Sequence, residues 1–193
     1  MVVMRHLLFF LVCVLCFLSC ASIARQGTIY VNLTDSSRFV LLPPCGIEHD
    51  MDMPQFMSFE FSGRNYFINA WVKANENGID MAFFSEMGAS IGELSYRDGE
   101  VRFSSAIFPA SVIRSFRPEY IIADFQLSFF DPVLLGKSLK GSGLVLETTD
   151  GGRRILSGDE VIIEIKKTSN AVKLVNHLRG YSYTLEGDFY WIQ

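Results

Sequence analysis

The chain has 193 residues, with 21 acidic against 17 basic side chains, a formal charge of −4 and an aromatic content of 13%. That balance leaves no basic excess of the kind that nucleic acids or anionic membrane surfaces recruit. The length supports one domain with a sizeable core, and one domain is expected.

Chain order begins with MVVMRH and an uninterrupted apolar block from Leu7 to Leu18, closed by Ser19 and Cys20. A charged start, a short apolar run and small residues at the exit are the features of a secretion signal. The stretch Phe17-Leu18-Ser19-Cys20 resembles the bacterial lipobox, whose cysteine is diacylated on sulfur and becomes the first residue of the mature protein. Phe17 stands where that pattern most often has leucine. Cys13 and Cys16 follow bulky Val12 and Leu15, so Cys20 is the candidate for lipid attachment, and residues 1–19 are read as the signal peptide. A plainly cleaved signal and an uncleaved N-terminal anchor are the alternatives. Loss of Arg5 with the signal takes the formal charge of the mature chain to 16 − 21 = −5. Cys45 would then be its one free thiol, expected as a small, partly buried side chain, so neither an internal disulfide nor a cysteine metal site is expected.

Residues 20–54 read as a lipidated N-terminus, a tether and an irregular approach, with only TIYVNLT hinting at a strand and three prolines between residues 40 and 54. From Phe56 the pattern is strand after strand at close intervals. In RNYFINAWVKANENG, period-two alternation places Tyr66, Ile68, Ala70, Val72 and Ala74 on one face and Phe67, Asn69, Trp71 and Lys73 on the other. IDMAFFS follows, and then GELSYRDGEVRFSS, where Asp98-Gly99 is a hairpin signal. Connections this short make an antiparallel meander. Pro109 to Phe116 and Pro118 to about Phe130 each open with proline in the manner of a helix, and Asp131-Pro132 reads as an N-cap with proline in the first turn of a third, closed by Lys137, Lys140 and Gly141. Strands resume at Gly143 with a turn at Asp150-Gly151-Gly152, and KLVNHLRG and YSYTLEGDFYWI complete the sheet. The fold class is α+β, with residues 55–193 as the folded domain.

The residues from Gly92 to Leu139, and YIIADFQLSFF above all, resemble an uncharacterised family of bacterial lipoproteins. Its members are similar in fold to the lipoprotein carrier and the outer-membrane receptor of the localization-of-lipoproteins (Lol) pathway (LolA/LolB-like). The resemblance covers about residues 55–190. It implies a single curved antiparallel sheet, an open half-barrel, with two or three helices packed on its concave face and an apolar cavity for acyl chains between them. Members of that family are often encoded beside genes for aryl polyene or fatty-acid-like lipid synthesis.

Chemistry-bearing clusters are few. Glu48-His49-Asp50 with Asp52 has ligand types for a divalent ion, but a proline-bounded loop without a second spaced ligand pair reads better as solvated acids. His177 reads as a strand-end residue. A Gly-rich phosphate loop followed by Lys-Ser/Thr is missing from the sequence. Gly141-Ser142-Gly143 reads as a helix stop, and Asp159 and Glu160 as solvent-facing acids beside a turn. No catalytic residue, metal or cofactor is assigned.

The apolar faces remain. Ile68, Val72, Met81, Phe83, Leu94, Tyr96 and Phe103 could line a cavity, since methionine and phenylalanine make an adaptable wall for an acyl chain; ordinary core packing would use the same residues. The expected protein is a lipid-anchored lipoprotein facing the periplasm. Ala21 after Cys20, by the sorting rule that accompanies the lipobox, favours the outer membrane. Its expected partners are the membrane through acylated Cys20 and a lipid or acylated ligand that it helps to place, with no catalytic step and no nucleic acid. An alternative is a packed envelope interaction module whose exposed Phe67 and Trp71 contact a protein partner. A hydrolase with an unrecognised site is the third.

Overall fold

A computed structural model describes residues 21–61, 63–115 and 117–189. Cys20 and the signal segment lie outside them. Among the described residues no helix is long and apolar enough to cross a membrane.

Ala21–Gln26 (β1) does not form a tether. It pairs antiparallel with Glu100–Ser105 (β8), from Ala21 opposite Ser105 to Gln26 opposite Glu100. Tyr30–Asn32 (β2) and Arg38–Val40 (β3) form a small separate hairpin, and a 3-10 turn spans Pro44–Gly46. Val31, Leu33, Phe39 and Leu41 are buried, so this supposed approach is part of the folded body, and its alternation is the strand signal that TIYVNLT carries. Cys45 is exposed rather than partly buried.

The meander follows as Met51–Phe61 (β4), Arg64–Asn75 (β5), Gly78–Phe84 (β6), Ser90–Arg97 (β7) and β8. β4 starts at Met51, ahead of the expected Phe56, and includes Pro54. β13 (Tyr181–Glu186) meets β4 only from Phe56 to Phe61, so Pro54 lies where β4 has a strand on one side alone and a missing N–H is tolerated. The β7–β8 turn has Asp98 and Gly99 at φ 50° and 70°, as the Asp-Gly pair demands.

Among the described residues the α-helices are Ala110–Ser115 (α1), Glu119–Phe129 (α2) and Pro132–Lys140 (α3). α3 starts as its sequence requires: the Asp131 carboxylate accepts from the N–H groups of Val133 and Leu134 at 2.9 Å each. Leu144–Thr149 (β9), Gly152–Ser157 (β10), Glu160–Lys167 (β11), Ala171–Asn176 (β12) and β13 return beside β4. The result is one antiparallel sheet of eleven strands in the order β1-β8-β7-β6-β5-β4-β13-β12-β11-β10-β9, with β1 and β9 at its two edges, so it is not a closed barrel.

Alternation gives the sheet one core face. Nine of the eleven residues of α2 are buried, which means that the helix is covered on all sides. The sheet covers it on one side, through contacts with β12 and β13. The N-terminal segment covers it on another: Gln126 clasps the Leu42 backbone, accepting from its N–H at 2.9 Å and donating to its carbonyl at 2.7 Å.

Candidate ligand-binding face

Register sets the candidate residues side by side. Met53, Val72, Met81, Leu94 and Phe103 form one row across β4 to β8, and Met51, Ala74, Ile79, Tyr96 and Val101 form the next. Gln55, Ala70, Phe83 and Gly92 form a third on the same face. Val72, Met81, Phe83, Leu94, Tyr96 and Phe103 are only 1–7% exposed and belong to one buried cluster. They therefore meet as packed core, and burial raises the Tyr96 hydroxyl above its ordinary pKa. Ile68 differs, being half-buried beside Met57.

The difference has a topological cause. β6 pairs with β5 only from Asn69 onward, so residues 64–68 of the β4–β5 hairpin project past the rest of the meander. Core-face side chains there are covered in part. Met57, Ile68, Tyr181 and Tyr183 are half-buried against the core, while Tyr66 is exposed. The Phe59 ring lies 6.1 Å from both Tyr66 and Tyr181. This patch is continuous with the buried rows. Farther in, Gln55 is 3% exposed and neither its amide oxygen nor its nitrogen has a hydrogen-bond partner. A buried amide without partners costs on the order of 1–3 kcal/mol, which makes Gln55 the polar group in these rows available to a ligand.

Residues 52–187 match the model of a family described as protein of unknown function (DUF3261). The chain belongs to that family. No curated protein matches it. The matched span runs from β4 through β13 and so holds α1, α2, α3 and the half-buried patch, while β1 and the β2–β3 hairpin lie outside it.

Two buried charged groups stand beside this face, and neither was singled out in the sequence. Asp124 of α2 accepts a hydrogen bond from the Tyr181 hydroxyl at 2.6 Å, and Asn176 donates to the same hydroxyl at 3.3 Å. Burial pushes the Asp124 carboxyl up to about 7, against the pull of Tyr181 and Arg179. Burial first, and then the neighbouring Asp124, raise the Tyr181 and Tyr183 hydroxyls. The single charged residue within YIIADFQLSFF was the available signal.

Arg153 of β10 is 3% exposed. Its guanidinium donates to the carbonyls of Leu127 and Phe130 at 3.1 and 2.6 Å and to the Glu48 carboxylate at 2.8 Å. Lys167 reaches the same carboxylate at 3.4 Å, and burial, followed by the Arg153 charge, brings its ammonium down to about 8. Glu48 is thus the hub of an ion-pair network at the end of α2 rather than a free solvated acid. Among the described residues no group of His, Cys, Asp and Glu could hold a metal ion. The signal for Arg153 was its strand parity, two residues before the inward-facing Ile155.

Proposed function

We propose that this protein is an outer-membrane lipoprotein, anchored through acylated Cys20 and facing the periplasm. In this reading the sheet curves into an open half-barrel, α2 lies on its concave face, and a lipid or acyl chain enters between them to be placed in the outer membrane. The protein binds and releases and performs no bond-breaking step. The observation that carries the reading is the patch of half-buried Met57, Phe59, Ile68 and Tyr181 beside exposed Tyr66, which opens an otherwise buried apolar face at one end. The unpartnered Gln55 amide supplies a hydrogen-bonding group for an ester or carboxyl head. Resemblance to the Lol-pathway carriers and to the lipobox supports the same reading.

The driving force would be burial of ligand methylenes, about 0.8 kcal/mol each. Offered fatty acids of increasing chain length to the protein purified without detergent, affinity should rise about fourfold per methylene, and native mass spectra should show one bound lipid. Ile68→Asp should abolish uptake while leaving the circular dichroism spectrum intact, because Ile68 is half-buried. A clean apo mass with no uptake would support the second reading, a packed interaction module. That reading is favoured by one observation, the near-complete burial of Val72, Met81, Leu94 and Phe103.

The anchor has its own test. Cys20→Ala should end palmitate labelling and move the protein out of the membrane fraction. Continued sedimentation with membranes would instead identify the N-terminal segment as an uncleaved anchor.

A further inference from the structure

The face of the sheet turned away from the core is built for a different ligand. Pro54, Trp71, Ala82, Glu93 and Ser104 form one cross-strand row on it. Beside that row run Asp52, Lys73, Asp80, Ser95 and Arg102; on its other side run Phe56, Asn69 and Phe84. A polar wall and an aromatic wall thus flank a floor that is low at Ala82 and Ser104.

Two depressions, of about 410 and 440 Å³, lie along this floor, and Trp71 borders both. Both are shallow and open to solvent, with volumes in the range of small-ligand clefts. Trp71 is 47% exposed, and its indole N–H donates to Asp52 at 2.8 Å. The ring is therefore held in one orientation with its apolar surface still open. Phe56 and Phe67 stack alongside, with centroids 5.8 Å apart and planes at 16°.

Charge narrows the ligand class. Lys73 lies 3.5 Å from Asp52, and Asp80 pairs with Arg97, so the polar wall is nearly neutral while remaining rich in donors and acceptors. Glu93 and Arg102 border the second depression. A polyanion gains nothing from such a wall. A ligand with a flat apolar surface and a rim of hydroxyls gains on both sides: its C–H face stacks on the fixed indole while its hydroxyls bond to the charged groups. We propose that this trough binds a neutral oligosaccharide, one ring on each side of Trp71. Five strands at the usual spacing give it a length of roughly 19 Å, enough for several linked sugars.

The proposal is independent of lipid binding on the other face. The test titrates the full-length protein, held in a detergent without a sugar headgroup, with chitotetraose, maltotetraose and cellotetraose, following heat and tryptophan emission. Binding of at least one should shift the emission, and Trp191→Phe should leave that shift in place. Trp71→Ala and Ala82→Arg, both on the solvent face, should each weaken binding about tenfold or more, whereas Ile68→Asp should leave it unchanged. Should Trp71→Ala fail to fold, Trp71→Phe and Ala82→Arg decide. No heat and no emission change with any of the three at millimolar concentration overturns the proposal, as does binding that the Trp71 and Ala82 variants leave intact.

Discussion

Arg153→Ala is expected to lower the unfolding free energy by about 3–5 kcal/mol, the cost of removing one member of a buried, hydrogen-bonded ion network. The reason lies in the end of α2. The Asp131 N–H, which a continuing helix would direct to the Leu127 carbonyl, bonds instead to Gly46. The Leu127 and Phe130 carbonyls take their donors from Arg153. Without the guanidinium both oxygens stay buried and weakly satisfied, and Glu48 is left with Lys167 as its cationic partner among the described residues. Against a typical domain stability of about 5–15 kcal/mol the loss is large. Arg153→Lys should recover little of it, because one ammonium cannot span three acceptors in the fork geometry of arginine. The neighbouring Arg154→Ala, whose guanidinium is about half exposed and 3.6 Å from Glu164, should stay within about 0.5 kcal/mol of the parent. Urea denaturation of the three variants measures this. A loss below about 1 kcal/mol for Arg153→Ala would show that water replaces the guanidinium at those carbonyls.

The second large effect is a pH dependence centred on Asp124. Its carboxyl is raised from an ordinary 3.8 to about 7 by burial on the inward side of α2. A raised carboxyl holds its proton in the folded state over a range where the unfolded chain has released it. Its contribution to stability is therefore complete below about pH 4 and disappears as the pH rises through 7. The difference in pKa corresponds to about 4 kcal/mol across that window. Urea unfolding at pH 4.5 and at pH 8 should show the decline in the parent protein and its loss in Asp124→Asn, which retains an acceptor for the Tyr181 hydroxyl. At pH 8 the Asn variant should be the more stable of the two. Parallel profiles for the two proteins would mean that Asp124 titrates normally and that water reaches it.

Both groups influence the proposed acyl-binding face through α2. Asp124 ties the helix to Tyr181, whose ring also contacts Phe59 in the half-buried patch. Arg153 fixes the C-terminal end of the helix to β10. The helix is thus tied to the sheet by polar contacts at its middle and at its C-terminal end. Movement of α2 away from the sheet, which an entering chain would require, has to break one of the two.

The elements whose instructions are local were legible in the sequence. Asp98-Gly99 specified the β7–β8 hairpin because only residues that tolerate positive φ fit that turn, and Asp131-Pro132 specified the start of α3 because a carboxylate and a preset φ satisfy the first helical turn without outside help. Alternation sorted Ala70, Val72 and Ala74 from Trp71 and Lys73, since a strand has only two faces. The long-range arrangement was decided by the tertiary structure. No turn signal states that β13 returns beside β4, that Ala21–Gln26 closes on β8, or that the β2–β3 hairpin covers α2, because these pairings join segments dozens of residues apart whose apolar patterns fit many partners. The polar residues show the same limit. Asp124 and Arg153 look like ordinary surface charges until Tyr181, Glu48 and two helix-end carbonyls are brought to them, and Ile68 shares its strand face with Val72 yet remains half-covered because β6 stops short of it. Sequence determines what each segment can become; which groups are dry, paired or open depends on neighbours that only the folded chain supplies.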